Sequence, residues 1–302
     1  MPRALSPRIL LTGKNGQVGW ELHQTLTPLG EVVALDRQQL DLADPDQIRK
    51  RVREIKPDLI VNAAAYTAVD RAEAEPGLAM AVNGIAPGIL AEEAKRIGAA
   101  IVHYSTDYVF DGTKATPYTE EDAPNPLNVY GRTKLAGEQA IRDVGVPHLI
   151  LRTSWVYGMR GKNFLLTILR LAREREELKI VDDQTGAPTW SRAVAEATAR
   201  ILSAGPLSLA AAGIYHLTAA GSTTWYGFAR AILTLDPDQS EQVCKHVRPI
   251  PTAEYPTPAA RPAFSVLSNA KLKAFFGLTL PDWEQSLKSA LVRDQVKSGA
   301  NP

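Results

Sequence analysis

A doubly wound α/β fold, a parallel sheet covered by helices with a smaller α/β lobe toward the C-terminus, is the architecture this sequence predicts from three observations. Short apolar runs alternate with longer helix-like segments through the first half, a glycine-rich turn separates the first run from the first helix pattern, and the rhythm changes after about residue 155. Strands are expected at 8–12, 31–35, 59–62, 100–105 and 148–153. Between the second and third, Asp44-Pro45-Asp46-Gln47 reads as a helix start, with Asp44 as cap, Pro45 in the first turn and Gln47 reaching back to the cap, the helix running to about Ile55. Later come a charged helix over 163–177, a second helix over 193–202 and a proline-dense stretch over 249–262. The turn-rich segment 117–126 is expected to loop over the active site.

With 302 residues and 45% hydrophobic content, the chain can bury a substantial core. Its 34 basic and 33 acidic residues nearly cancel, so no global field holds nucleic acid or an anionic membrane, and any anion must be met by a local site. The expected partner is therefore small. Cys244 is the single cysteine, which excludes an internal disulfide and a cysteine-based metal cluster and fits a reducing compartment. The first apolar run, Ile9 to Leu11, is far shorter than a signal-peptide core of about 7 to 15 residues, and no run is long enough to span a bilayer. A cytoplasmic protein is the expectation.

Directly after the first strand comes Gly13-Lys14-Asn15-Gly16-Gln17-Val18-Gly19, followed by a helix pattern through Trp20, Leu22 and Leu26. Glycines let the backbone turn tightly and approach a pyrophosphate, whose charge meets the amides at the start of the new helix. The Gly-x-x-Gly-x-x-Gly spacing is weak alone; its place between strand and helix makes it a dinucleotide site. At the end of the second strand, Asp36 can accept hydrogen bonds from the adenosine ribose and repel a 2'-phosphate, whereas Arg37 can hold that phosphate, so NADH and NADPH both stay open. Asp41 and Leu42 are candidates to flank the adenine, a turn-capping aspartate being the competing reading. The small residues Asn62 to Ala65 close the third strand and permit close approach of a cofactor.

The chemical end is Tyr130-Gly131-Arg132-Thr133-Lys134, which puts a phenol and an ammonium on one helix face. Reducing a ketone needs a hydride on carbon and a proton on oxygen; a tyrosine is a suitable acid if a nearby charge such as Lys134 lowers its pKa. Lys134 can also bind the nicotinamide ribose. Thr106, after the fourth strand, lies where ligands of doubly wound sheets bind and can hydrogen-bond the substrate carbonyl; Ser105 is its competitor. A division into residues 1–154 as a dinucleotide-binding half and 155–302 as a mainly substrate-binding lobe, partly interleaved with the first, follows.

Taken together, segments 16–22, 61–70, 103–110 and 127–138 resemble the dTDP-4-dehydrorhamnose reductase family of the extended short-chain dehydrogenases. Segments 152–157, 183–188, 223–226 and 255–258 with Arg261-Pro262 extend the likeness into the later half. The resemblance implies a Rossmann domain with a smaller C-terminal substrate lobe, and NADPH- or NADH-dependent reduction of the C4 keto group of a dTDP-linked sugar. It implies catalytic roles for Thr106, Tyr130 and Lys134, a place against the sugar for Trp155, and cofactor contacts from Gly16 to Val18, Asp36, Asp41, Leu42, Ala65, Tyr66, Thr67, Thr106 and Asp107. For some members it also implies Mg2+ and a glutamate matching Glu21 near a homodimer contact, a first-turn dipole partner being the plainer role. Family members commonly carry two arginines after segment 255–258; here the first is Ala260, and Arg261 remains to face the diphosphate. Two rivals stay open. A dehydratase or epimerase on the same scaffold would need an extra acid and base, yet Tyr108 follows Asp107; a noncatalytic cofactor-binding subunit would have no need of Tyr130, Lys134 and Trp155.

Overall fold

The computed structural model describes residues 6–298. Its first half runs β1 (Arg8–Thr12), α1 (Gln17–Leu26), β2 (Glu31–Leu35), α2 (Pro45–Ile55), β3 (Leu59–Asn62), α3 (Ala86–Ile97), β4 (Ala100–Thr106), α4 (Val129–Val144) and β5 (His148–Thr153). Four strands match the expected bounds, and β4 extends one residue further because Thr106 still pairs with Thr153. Asp44 caps α2 by accepting from the Asp46 and Gln47 amides, as its sequence predicts. Gln47 reaches back past the cap, however, and accepts from the Asp41 amide, since the Asp44 N–H already donates to the Asp41 carbonyl.

The later half contributes α5 (Phe164–Glu174), α6 (Ser191–Ser203), β6 (Gly213–His216), α7 (Trp225–Leu235) and α8 (Trp283–Ser298). The expected charged helix stops at Glu174: Glu177 opens a strand, Glu177–Val181, that pairs with His246–Ile250. The second helix, α6, starts two residues earlier and ends one later than expected.

All six strands of the main sheet are parallel, in the order β6-β5-β4-β3-β1-β2. Alternate residues serve opposite faces, the ordinary period-2 consequence of the pleat. Ile9, Leu11, Val61, Val102, Leu149 and Leu151 pack with α1 and α6. Leu10, Ile60, Ile101 and Ile150 pack with α2, α3 and α4 on the other side. Thus α6 and β6, both from beyond residue 155, complete the layer and the edge of the sheet. A separate apolar cluster of Tyr157, Leu165, Ile168, Phe228, Ile232, Trp283 and Leu287 joins α5, α7 and α8. No described helix is long and apolar enough to cross a membrane.

The chain leaves β1 for β2 on one side and returns to β3 on the other, so the strand order reverses at β1 and β3. Beyond the carboxyl ends of these two strands opens the crevice where doubly wound sheets bind ligands. The glycine turn and residues 63–67 flank it.

Candidate active site

The glycine turn is built by contact rather than flexibility. Gly13 has φ +73°, and a side-chain carbon there would stand 2.8 Å from the Ala64 backbone after β3. Gly16 caps α1 without a side-chain hydrogen bond, leaving the first-turn amides for a ligand. This cradle fits a dinucleotide's pyrophosphate. Gln17 has a structural part as well: its amide reaches Val156, and its carbonyl accepts from Asn163, tying the turn to the later half. Val18 packs partly buried against the first core, and Gly19 is buried.

Asp36 sits at the tip of β2, with Lys14 Nζ 3.3 Å from its carboxylate and the Gln38 and Gln39 amides donating to it. Against the upward push of desolvation, these donors hold its carboxyl below the usual value. Lys14, unremarked in the sequence, is thus the cation beside Asp36, while Arg37 swings outward to pair with Asp41 at 3.6 Å. The Leu42 side chain is buried in the core with Leu40 and Ile48. Ala65, Tyr66 and Thr67 lie in the turn after β3. That turn is pinned by Asn83, whose carbonyl accepts from the Tyr66 amide at 2.8 Å and whose amide donates to the Tyr66 carbonyl and to Thr133 on α4. Asn83 is a buried residue that sequence reading missed. It carries no motif signature, only helical context.

The structure brings Thr106 and Tyr130 together: the two side chains are hydrogen-bonded, and burial pushes the phenol up to about 12. Asn128 caps α4, and Gly131 lets the helix start against the Tyr108 carbonyl, where a side chain would clash. The Tyr108 ring meets Tyr130 edge-on at 5.7 Å. Pro126, at the end of the turn-rich loop, also abuts Gly131. Lys134 lies one turn beyond Tyr130, but its Nζ turns inward to the Tyr104 carbonyl at 2.5 Å and to His103 Nε2 at 3.1 Å. Burial lowers its pKa to about 8. The expectation that Lys134 brings the phenol down is therefore corrected for this arrangement: its Nζ faces Tyr104 and His103, and desolvation dominates at Tyr130.

Behind Thr106 the Asp107 carboxylate is buried. It accepts from Thr106 and from Ser154 Oγ, each at 3.0 Å, with Ser265 as a further donor; desolvation nevertheless raises its pKa to about 6. Trp155 has φ +45°, a strained region for a bulky residue. Its indole lies over Gly186 and stacks on Trp225 with ring centroids 3.5 Å apart and planes 4° from parallel. Trp225 donates to Gln184 at 3.2 Å. Arg261 is half-buried, ion-paired with Asp70 at 2.8 Å and hydrogen-bonded to Tyr108, the ring that meets Tyr130 edge-on.

Glu21 does not behave as expected. It falls in the second turn of α1, not the first, and pairs with Arg192 of α6 at 3.1 Å. Among the described residues no cluster of three or more His, Cys, Asp or Glu side chains is disposed to hold a metal. A carboxylate already neutralised by an arginine is a poor start for one.

The family model for the RmlD substrate binding domain matches residues 7–296. A dTDP-4-dehydrorhamnose reductase of Burkholderia thailandensis is 52% identical over 95% of this chain and 98% of its own. The crystal structure of a dTDP-4-dehydrorhamnose reductase from Bacillus anthracis in complex with NADP superposes with a TM-score of 0.89 at 35% identity, covering 96% of this chain and all of that one. A UDP-glucose 4-epimerase from Thermus thermophilus, 22% identical with a TM-score of 0.79 over 97% of this chain and all of that one, shares the fold.

Proposed function

The chain belongs to the dTDP-4-dehydrorhamnose reductase family, and from that membership we propose that it reduces the C4 keto group of dTDP-4-dehydro-β-L-rhamnose to give dTDP-L-rhamnose. When bound, NADPH or NADH supplies the reducing equivalent. The first-turn amides of α1 and the glycine turn hold its pyrophosphate, and Asp36 with Lys14 meets the adenosine ribose. Lys134 holds the nicotinamide ribose. Thr106 orients the substrate carbonyl, and Tyr130 gives its phenolic proton to the nascent alkoxide at O4. Trp155 covers the sugar, and Arg261 faces the diphosphate.

The observation that supports this reading most is the half-buried phenol hydrogen-bonded to Thr106 at the carboxyl end of β4, with Lys134 one helical turn on. At neutral pH the phenol carries its proton, the state an acid catalyst of reduction needs. A cytoplasmic enzyme of cell-surface polysaccharide synthesis, with a homodimer as its assembly, completes the proposal.

The test is to supply enzymatically prepared dTDP-4-dehydrorhamnose and follow the absorbance of NADPH and NADH separately. Stoichiometric consumption of one of them with formation of dTDP-rhamnose is expected. Turnover of the sugar without net consumption would point to a dehydratase or epimerase instead, because such an enzyme returns its hydride.

A further inference from the structure

Behind Lys134 a line of buried polar side chains crosses the sheet from β1 to α4. Thr12 Oγ1 lies 2.6 Å from Asn62 Oδ1, Asn62 Nδ2 lies 3.0 Å from His103 Nδ1, and His103 Nε2 lies 3.1 Å from Lys134 Nζ. Strand register sets the line, with Thr12 opposite Asn62 and Asn62 opposite His103. None of the four is more than 2% exposed, so each takes its partners from its protein neighbours.

Donor direction then propagates from one end. The Ala64 amide donates to Thr12 Oγ1 at 3.3 Å, and Thr12 gives its own hydroxyl proton to Asn62 Oδ1. The Asn62 carbonyl is thereby used, and its amide donates to His103 Nδ1. Burial holds His103 far below its ordinary pKa, so the ring is neutral and carries one proton. A nitrogen that accepts carries none; the proton is on Nε2. That N–H points at Lys134 Nζ, and only an amine with a free lone pair can receive it.

We infer that His103 is a positioning residue of this site: with its tautomer fixed by Thr12 and Asn62, its Nε2–H faces Lys134 Nζ and disfavours the ammonium form there. The inference rests on the reductase reading, in which Lys134 serves the cofactor and the proton supply of Tyr130. Burial moves Lys134 in the same direction, down to about 8. Of the charged groups nearby, Glu138 lies one turn along the same helix, favours the ammonium and is itself paired with Arg152. Asp107 acts on Tyr130. Asn83, packed against the same helix, offers Thr133 an uncharged amide. His103 is the titratable group that faces Nζ from β4.

A reduction that draws its proton through Tyr130 and a protonated Lys134 slows as pH rises through the Lys134 value. Freeing the His103 tautomer lets Nε2 accept, favours the ammonium and moves that limb upward. The test joins nitrogen-15 NMR of the histidine rings, which separates protonated from unprotonated ring nitrogens, to pH profiles of wild type, Thr12→Val and Thr12→Ser.

The Nε2–H tautomer is expected for His103 in the wild type from about pH 6 to 9, well above the range where this buried ring takes a second proton. The alkaline limb of kcat should move up by about 1 pH unit in Thr12→Val and stay in place in Thr12→Ser, which keeps the hydroxyl. An Nδ1–H tautomer in the wild type overturns the inference, and so does an unmoved limb in a folded Thr12→Val. The wild-type spectrum decides the matter even if the valine variant fails to fold. Absence of any keto-sugar reduction by the wild type would instead sink the reductase reading, and the tautomer measurement would stand apart from it.

Discussion

Replacing Tyr130 by Phe deletes one oxygen and leaves the ring where it is, edge-on to Tyr108 and half-buried at the start of α4. The phenol is pushed from its ordinary 10 to about 12, chiefly by burial. At either value essentially every site carries, at neutral pH, the proton that reduction requires. Removing that acid should cost about 2 to 4 decades in kcat, or about 3 to 5 kcal/mol of barrier. The fold should lose only the hydrogen bond to Thr106, about 1 kcal/mol, which lowers the melting temperature by a few degrees at most. Substrate binding draws on other groups, so KM should change little. NADPH absorbance with saturating keto sugar reads kcat directly, and a melting curve shows that the variant is folded. A folded Tyr130→Phe protein that turns over at the wild-type rate would refute the proton-donor role.

Removing the Trp225 ring should leave Trp155 without its stacking partner at a strained backbone position; Trp225→Ala is expected to raise KM for the nucleotide sugar roughly 2- to 10-fold, the scale of an aromatic pair, with Trp225→Phe retaining much of the affinity. Equal KM values in all three proteins, from steady-state kinetics, would contradict that. Arg261→Ala should raise KM more than it lowers kcat if the guanidinium binds the diphosphate in ground and transition states alike, and a loss confined to kcat would oppose it. Its ion pair with Asp70 is partly exposed, so urea unfolding should register less than about 1 kcal/mol. Asp107, raised from 3.8 to about 6, gives stability that is fully present below about pH 4 and lost as pH rises through about 6. Asp107→Asn should therefore flatten stability between those limits and add about 1 to 3 kcal/mol at pH 7, measured by urea midpoints; a variant no more stable at pH 7 than wild type would mean that the surrounding hydroxyls outweigh burial.

The strands of the parallel sheet, its glycine turn and the place of Tyr130 and Lys134 on one helix face were legible in the amino-acid order, because each depends on neighbours within a few residues. Apolar runs of strand length, a turn that needs glycine and an i, i+4 pair on one helix face are all local patterns. Gly213–His216 was not read as a strand: four residues carry too little pattern, and only the open edge beside β5 makes them one. Partners that come from far along the chain were equally silent. Arg192 for Glu21, Trp225 for Trp155, Asn83 for the turn at Tyr66 and His103 for Lys134 are pairings made by packing across elements. Charge state belongs to the same class. The sequence places a lysine one turn from a tyrosine, but which way its amine turns is set by buried acceptors on β4, and desolvation there decides the pKa of both.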